Sequence, residues 1–153
     1  MLTRLHIKNF ALISELTLDF KDGLTVVTGE TGSGKSILLG ALGLALGARS
    51  NSLNVRHGTD LCIVEATFLS PIANKIRVDF NLEFGTDKES VVIRREVRST
   101  GKSRCFINDS LVSAGILKEV GNKLVDLHGQ DETRALMDRV TRLDLLDDFG
   151  GHV

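Results

Sequence analysis

Hydrophobic and polar positions alternate at the start of the chain, and this pattern predicts β-strands. Two strands are expected, over residues 2–10 and 13–20. In the second, Leu16 and Leu18 alternate with polar and charged residues, which places apolar side chains on one face of the strand. Residues 24–28 are apolar without alternation, as is typical of a strand that is buried on both sides. The chain is therefore predicted to open with three strands.

A helical pattern follows over residues 34–46, and the polar stretch 48–60 is expected to be a surface loop. The helix contains glycines, each of which destabilises a helix by about 1 kcal/mol relative to alanine. We therefore expect Gly40, Gly43 and Gly47 to serve close packing on the sheet, with Gly47 also ending the helix. Glycines that are tolerated without a packing role are the alternative.

Short strands return after the loop and predict an antiparallel β-meander over residues 61–107. Turn-forming residues separate the strands, and the last long strand alternates apolar with charged positions, so one face of the meander should be solvated. We expect this meander to be an inserted layer within a single domain that covers residues 1–153. Its predicted strands are 61–69, 76–84, 91–98 and 104–107.

The last third of the chain returns to helical periodicity. Residues 108–110 are expected to end the meander, and a helix is predicted over 113–123. A short buried strand over 124–127 and one or two helices over 131–149 are expected to follow. The alternation of strands and helices predicts an α/β fold.

The segment between residues 24–28 and the first helix, Gly29-Glu30-Thr31-Gly32-Ser33-Gly34-Lys35-Ser36, fits the phosphate-binding loop pattern. Backbone N–H groups converge in such a turn, and the following helix adds its positive end, so the site favours a phosphate. Lys35 is expected to reach the β- and γ-phosphates, and the Ser36 hydroxyl to bind Mg²⁺. Chance alone would place the four fixed residues in about half a percent of chains of this length, which disfavours a glycine-rich turn without a ligand.

Composition restricts the class of protein further. The chain has 153 residues, of which 42% are hydrophobic, enough for a sizeable core in one domain. A formal charge of −1 argues against a generally basic nucleic-acid-binding protein. Cys62 and Cys105 lie in apolar runs without zinc-ligand spacing and are interpreted as buried thiols. No run has the length of a membrane span, so a cytoplasmic location without a membrane partner is expected.

Basic residues concentrate in the second half of the meander. A stripe of this kind on an exposed sheet face can neutralise DNA phosphates, whereas the alternative is a solvated face that is balanced by the acidic stretch 131–148. Arg56, in the loop after the first helix, either contacts nucleotide or DNA or is a plain surface arginine. The basic residues of the stripe are Lys88, Arg94, Arg95, Arg98, Lys102 and Arg104.

Gln130 follows a predicted strand end and a glycine, a position from which its amide can reach Mg²⁺ or an attacking water. An ordinary loop glutamine is the alternative. Hydrolysis also needs an acidic residue on a neighbouring strand, and no apolar run after Ser36 ends in Asp-Glu; Leu124-Val125-Asp126 is the nearest. We therefore expect the chain to bind nucleotide but to lack part of the hydrolytic machinery.

Six segments together resemble the N-terminal head segment of SMC-like ATPases, an ABC-type family with members in bacterial DNA repair. The resemblance covers essentially the whole chain and implies ATPase activity in a complete head that acts in DNA double-strand-break repair and recombination. It is carried by Asn9-Phe10, residues 16–20, residues 23–36, Leu42 to Gly47, Phe106-Ile107-Asn108 and Leu124 to Gln130.

The resemblance also implies roles for individual residues. It gives Lys35 and Gln130 catalytic roles, Gln130 as the Q-loop glutamine, and assigns Mg²⁺ to Ser36 and Gln130. ATP would be held by Glu30, Thr31, Gly32, Ser33, Gly34, Lys35, Ser36 and Ile37. The implied partners are the C-terminal half of the head with its coiled coil, a second head in an ATP-sandwiched dimer, and DNA on the nucleoid. The signature motif, the acidic magnesium strand with its catalytic glutamate and the switch histidine are not found in this sequence.

Two other classes share the phosphate loop. A transporter-type ABC subunit would need an aromatic side chain for adenine ahead of the loop, where only Phe10 and Phe20 occur, both in strand patterns. A small P-loop kinase would need an arginine-rich lid and an acceptor pocket, which a β-meander fits poorly. Both are kept as alternatives to the SMC-like head.

Overall fold

The computed structural model describes residues 1–29, 34–82, 89–125 and 127. Six strands and three α-helices are found in these ranges, with a short 3-10 turn over Ser52–Asn54. The elements in chain order are β1 (Leu2–Phe10), β2 (Ile13–Asp19), α1 (Lys35–Ala45), β3 (Leu61–Leu69), α2 (Ala73–Asp79), β4 (Ser90–Arg98), β5 (Ser103–Ile107), β6 (Ser110–Val112) and α3 (Ala114–Leu124).

The strands form one antiparallel sheet in the order β2-β1-β3-β4-β5-β6. β1 pairs with both β2 and β3, with Ile7 opposite Leu16 on one side and Val64 on the other. The residues of the predicted meander therefore extend the sheet that the first hairpin begins. The strands expected over 2–10, 13–20, 61–69, 91–98 and 104–107 are confirmed within two residues at each end.

One face of the sheet carries the core. β3 and β4 alternate between buried and half-buried residues along their length, so one side of each strand is covered while the other is partly solvated. α1 contacts β1, β3 and β4, and α3 contacts β5. The covered face has Ile7, Val64, Phe68, Ile93 and Ile107 at its centre, each fully buried. The sheet thus supports the helix that follows the phosphate loop.

α1 ends as the sequence predicts. Gly47 has φ of 101°, in the left-handed region that favours glycine, and the Ala48 N–H donates to the Gly43 carbonyl at 2.9 Å. A Cβ atom on Gly47 would lie 2.6 Å from the Lys118 Cα of α3, so this glycine permits close packing. The expectation of close packing is wrong for Gly43, because a Cβ atom on this residue would meet nothing within 4 Å.

The strand predicted over residues 76–84 is wrong, because Ala73–Asp79 form α2. Ile76 donates its N–H to the Ile72 carbonyl at 2.9 Å, and Ala73 and Ile76 are buried one helical turn apart. Val78, which a strand would place on the same face as Ile76, is 65% exposed. Residues 83 and 84 lie outside the described residues.

The buried strand predicted over residues 24–28 is also wrong in this structure. Leu24, Val26 and Val27 are 92%, 69% and 53% exposed, and no described strand pairs with this segment. An apolar run becomes a buried strand only where neighbouring strands accept its backbone hydrogen bonds and a layer covers each face. The described part of the chain supplies neither to residues 24–28.

The end of the sheet extends beyond the predicted boundary. Asn108 and Asp109 both have positive φ, 46° and 64°, as a two-residue hairpin turn requires, and the chain continues into β6. The helix predicted over 113–123 is confirmed as α3, with Ser113 accepting from the Ile116 N–H at its start. The strand predicted over 124–127 is wrong at Leu124, which ends α3; Asp126 and the predicted helices over 131–149 lie outside the described residues.

Candidate phosphate site and basic hairpin

The described part of the phosphate loop has the geometry of a helix start without a side-chain cap. Gly34 precedes α1 with φ of 97°, a conformation that favours glycine, and its carbonyl accepts the first helical hydrogen bond from Leu38 at 3.0 Å. No acidic residue lies in the first turn of α1. The positive end of the helix is therefore not offset by its own sequence and favours an anion.

Lys35 and Ser36 occupy the first turn of this helix. The Lys35 ammonium donates to the Gly29 carbonyl, so its side chain links the described residues on either side of the loop. Ser36 is exposed, and Ile37 is half-buried against the core. Glu30, Thr31, Gly32 and Ser33 lie outside the described residues, as does Gln130. Of the predicted site residues, the structure therefore places Gly34, Lys35, Ser36 and Ile37 together.

An apolar cavity of about 250 Å³ adjoins the phosphate loop. Its lining comes from β1, the end of β2, α1 and the exposed segment before the loop, including Leu5, Phe20, Val27 and Leu38, with Lys35 as its charged member. Sequence reasoning did not identify this cavity, because it depends on the contact between the first hairpin and α1. Val27 is the residue of the exposed segment 24–27 that lines it.

Strand alternation divides the predicted basic stripe between two faces of the sheet. Arg95 lies on the covered face with Ile93 and Val97 and is 3% exposed, so its prediction as an exposed DNA contact is wrong. Its guanidinium donates to the Cys105 thiol at 2.8 Å and to the Ser50 and Ser103 hydroxyls, each at 3.2 Å. The period of two was visible in the sequence and is the signal that was missed.

Arg94 lies on the other face, where carboxylates surround it. Its guanidinium is 2.9 Å from the Asp109 carboxylate, 3.5 Å from Glu96 and 3.7 Å from Glu65. It also stacks 4.6 Å from the ring centroid of Phe106. With three acids around one cation, Arg94 adds no positive charge to the surface.

Three cations of the stripe remain at the tip of the β4–β5 hairpin. Arg98, Lys102 and Arg104 are exposed and line a cleft of about 330 Å³ together with Glu96. Among the described residues no carboxylate lies within 4.0 Å of these three side chains. We name Arg98, Lys102 and Arg104 the hairpin cations; Lys88 lies outside the described residues.

Arg56 is half-buried in the loop after α1. Its guanidinium donates to the Leu12 carbonyl in the β1–β2 turn, and its own N–H donates to the Asn9 carbonyl at 2.9 Å. This arginine ties the loop to the first hairpin, which is a structural role. Its predicted contact with nucleotide or DNA stays a prediction.

The two cysteines are buried thiols, as the sequence predicts. Burial raises the pKa of the Cys62 thiol from 9.0 to about 11. Burial also raises the pKa of Cys105, and the Arg95 guanidinium partly opposes that rise. Within the described ranges no three His, Cys, Asp or Glu side chains are placed to hold a metal ion. Among the helices that the structure describes, none has the length and apolarity needed to cross a bilayer.

Comparison with known proteins identifies relatives among DNA repair proteins. The chain is 46% identical over 152 residues to the DNA repair protein RecN of Halalkalibacterium halodurans, an alignment that covers 99% of this chain and 27% of the relative. It is 44% identical over 153 residues to RecN of Bacillus subtilis, covering 99% of this chain and 26% of the relative. The chain thus spans about a quarter of the length of the curated relatives it matches.

Solved structures give the same fold. A structure from work on ATP-driven dimerization and DNA-stimulated activation of SMC ATPases matches with a TM-score of 0.63 at 23% identity, over 97% of this chain and 98% of that chain. The Smc head domain of Pyrococcus furiosus, with an extended coiled coil and bound to the C-terminal domain of ScpA, matches with a TM-score of 0.69 at 24% identity, over 98% of this chain and 42% of that chain. At these identities the likeness shows the fold alone.

These findings confirm the resemblance to SMC-like heads and the P-loop ATPase fold, and they do not favour a transporter subunit or a kinase. The match to a family model, described as an AAA domain, extends over residues 4–146, which is most of the chain. The chain therefore belongs to the AAA domain family.

Proposed function

We propose that the chain is the ATP-binding N-terminal part of an SMC-like ATPase head that acts in DNA double-strand-break repair and recombination, in the cytoplasm and on the nucleoid. The observation that carries the proposal is the uncapped start of α1, where Gly34 and Lys35 complete a phosphate-loop sequence. The DNA repair names of its relatives support the assignment to repair.

ATP with Mg²⁺ is the proposed ligand of the phosphate loop. The left-handed Gly34, the absence of acid in the first turn and the nearby lysine ammonium fit a phosphate chain. On binding, Lys35 exchanges the Gly29 carbonyl for the β- and γ-phosphates, and Ser36 is a ligand of Mg²⁺. Backbone groups of Glu30, Thr31, Gly32, Ser33 and Ile37 complete the cradle, and Gln130 orients water or metal.

Residues 24–27 and the adjoining cavity are proposed to be covered by further polypeptide. Leu24, Val26 and Val27 are exposed apolar side chains, and burial of apolar area contributes about 25 cal/mol per Å². We assign this surface to the C-terminal half of the head, which also carries the coiled coil. A second head would then close over the ATP; the description of the SMC neighbour names ATP-driven dimerization for that protein.

DNA is the proposed partner of the hairpin cations. They are exposed and share one cleft, which Glu96 also lines, and no carboxylate of the described residues lies within 4.0 Å of them. Three cations beside one acid leave a positive surplus that can neutralise phosphates. Arg94 and Arg95 are not part of this surface, since one is surrounded by carboxylates and the other is buried.

The test of the proposed function is an ATPase assay on the chain alone and mixed with the C-terminal remainder of its polypeptide. We expect negligible hydrolysis by the chain alone, because the sequence contains no Asp-Glu strand end to hold Mg²⁺ and activate water. The mixture is expected to hydrolyse ATP, and faster when DNA is added. Robust turnover by the pure chain that is lost in Lys35→Ala would show that the remainder is not required.

A further inference from the structure

A row of side chains crosses four strands on the solvated face of the sheet, opposite the covered face. Lys8 on β1 pairs with Ile63 on β3, and Ile63 pairs in turn with Glu96 on β4. Glu96 pairs with Arg104 on β5. Side chains alternate between the two faces along each strand, and these four have buried neighbours on the covered face. Those neighbours are Ile7, Val64, Val97 and Cys105. The strand register therefore places Lys8 on the same face as Arg104, one of the hairpin cations.

Lys8 is an exposed cation whose charge is not balanced at close range. Glu15 lies opposite it on β2, but the Glu15 carboxylate contacts the Nε2 atom of His6, at 3.9 Å. Among the described residues no carboxylate lies within 4.0 Å of the Lys8 ammonium. Arg4, which shares this strand and face, differs because its guanidinium is 2.6 Å from the Asp19 carboxylate. Of these two cations of β1, Lys8 is therefore the one that is available to an external anion.

The end of β1 adjoins the cleft that the hairpin cations line. Asn9, which follows Lys8, donates its side-chain N–H to the Leu61 carbonyl at 3.0 Å, and Leu61 lines that cleft. Neighbouring strands lie about 4.8 Å apart, so the three strand spacings from Lys8 to Arg104 amount to about 14 Å. This separation is close to the width of the major groove of B-DNA, about 12 Å, on whose two sides the phosphate backbones lie. One duplex can therefore contact both cations at once.

We propose that Lys8 is a fourth phosphate contact and that duplex DNA lies on the solvated face of the sheet, from the β4–β5 hairpin to β1. Four cations beside the acids Glu15 and Glu96 leave this surface a positive surplus. The Arg94 guanidinium lies over the Phe106 ring on the same face, 4.6 Å from its centroid, which leaves cations rather than a stacking ring as the contacts and favours a duplex over a single strand. The inference rests on the proposed binding of DNA by the hairpin cations and adds to it a residue and an orientation.

The first experiment measures duplex DNA binding by the intact protein over a series of salt concentrations from about 50 to 200 mM. Removal of one cation that neutralises a phosphate should reduce the slope of log K against log salt by about 0.9, and Lys8→Ala is expected to give this change. Arg4→Ala is the matched control, because it removes the same charge from the same strand and face, where Asp19 already balances it. We expect it to leave the slope unchanged. Lys8→Arg keeps the charge and is expected to keep the slope.

The second experiment tests contact directly and needs no variant. Exposed lysines of the intact protein are acetylated with and without a saturating DNA duplex, and the modification of each lysine is measured by mass spectrometry. We expect the duplex to protect Lys8 and Lys102 together, with the same dependence on DNA concentration. Lys75 is the internal control, because it is an exposed lysine on α2, away from the sheet face, and its acetylation should not change. A single strand of the same sequence is expected to protect Lys8 less than the duplex does.

The outcomes separate this inference from the proposed function. Protection of Lys102 without protection of Lys8, or a Lys8→Ala slope equal to that of the unchanged protein, overturns the inference and leaves DNA binding by the hairpin intact. Equal changes of slope in Lys8→Ala and Arg4→Ala also contradict it, because they would reflect net charge rather than a contact. Protection of Lys8 by the single strand alone contradicts the assignment to a duplex. Unchanged DNA affinity after replacement of all three hairpin cations would instead contradict the proposed function.

Discussion

The surroundings of single arginine side chains decide which of them can meet a polyanion. Arg94 and Arg95 are neighbours in the sequence, yet one is held by three carboxylates and the other is buried on the opposite face of the sheet. The hairpin cations are exposed and lack such partners within the described residues. Positive charge that is available for binding therefore depends on exposure and on neighbouring acids rather than on the count of basic residues.

Replacing all three hairpin cations by alanine is expected to weaken DNA binding by the intact protein. Because three side chains would no longer neutralise phosphates, the slope of log K against log salt should fall by about 2.7. Arg94→Ala is the comparison, and we expect it to change the slope little, because its charge is already balanced by Glu65, Glu96 and Asp109. Equal effects of the two replacements would show that the ion pairs of Arg94 do not neutralise it.

The buried thiol of Cys62 predicts a loss of stability at alkaline pH. Its pKa is raised to about 11 in the folded chain, whereas the unfolded thiol ionises near 9.0. The stabilisation is therefore complete below pH 9 and is lost as the pH rises toward 11, by an amount on the order of 2–3 kcal/mol. Cys62→Ala should have a flatter profile of unfolding free energy between pH 9 and 11. If the unfolding free energy of both proteins changes equally between pH 9 and 11, ionisation of Cys62 is not the cause of the loss.

At the scale of elements, α1 and α3 approach each other so closely that backbone atoms are in contact. A Cβ on Gly121 of α3 would lie 2.6 Å from the Leu46 carbonyl oxygen at the end of α1, and one on Gly47 would lie equally close to α3. Both approaches are closer than side chains allow, so glycine is required at these two positions. The helix that follows the phosphate loop is thereby fixed to α3, whose last residue precedes Gln130 by six positions.

Gly121→Ala is expected to destabilise the chain by about 2 kcal/mol or more, because α1 and α3 must separate to admit the methyl group. Gly43→Ala is a matched control within α1, where a Cβ meets nothing within 4 Å and φ is not in the left-handed region. That change should stabilise the helix by up to about 1 kcal/mol. Denaturant unfolding measures both, and changes of the same sign would argue against the backbone contact.

At the scale of the whole molecule, the sequence predicted most of the sheet and both core-covering helices. It succeeded where apolar alternation was long, as in β1, β3 and β4, and where a phosphate loop preceded a helical run. It was wrong at α2, because the spacing of Ile76 and Val78 matches a strand, whereas the burial that fixes the helix comes from Ala73 and Ile76, one helical turn apart. It was wrong at residues 24–28, because burial of a strand depends on neighbours that local sequence does not specify.

The site was predictable only in part for the same reason. Gly34, Lys35 and Ser36 follow from a local pattern, and the structure brings them together at the start of α1. The link between Ser50 and Ser103 joins segments more than fifty residues apart, and the cavity beside Lys35 combines β1, β2 and α1. Such features depend on tertiary contacts and have no signal in a single stretch of sequence.

The central claim is that the start of α1 binds the phosphates of ATP. Calorimetric titration of the chain with ATP and Mg²⁺, in parallel with the Lys35→Ala variant, tests it most directly. We expect saturable binding by the unchanged chain and a loss of at least about tenfold in affinity, 1.4 kcal/mol, in the variant, because a charge-assisted donor to the phosphates is removed. Equal ATP affinity for the two proteins, or no binding by either, would contradict the account.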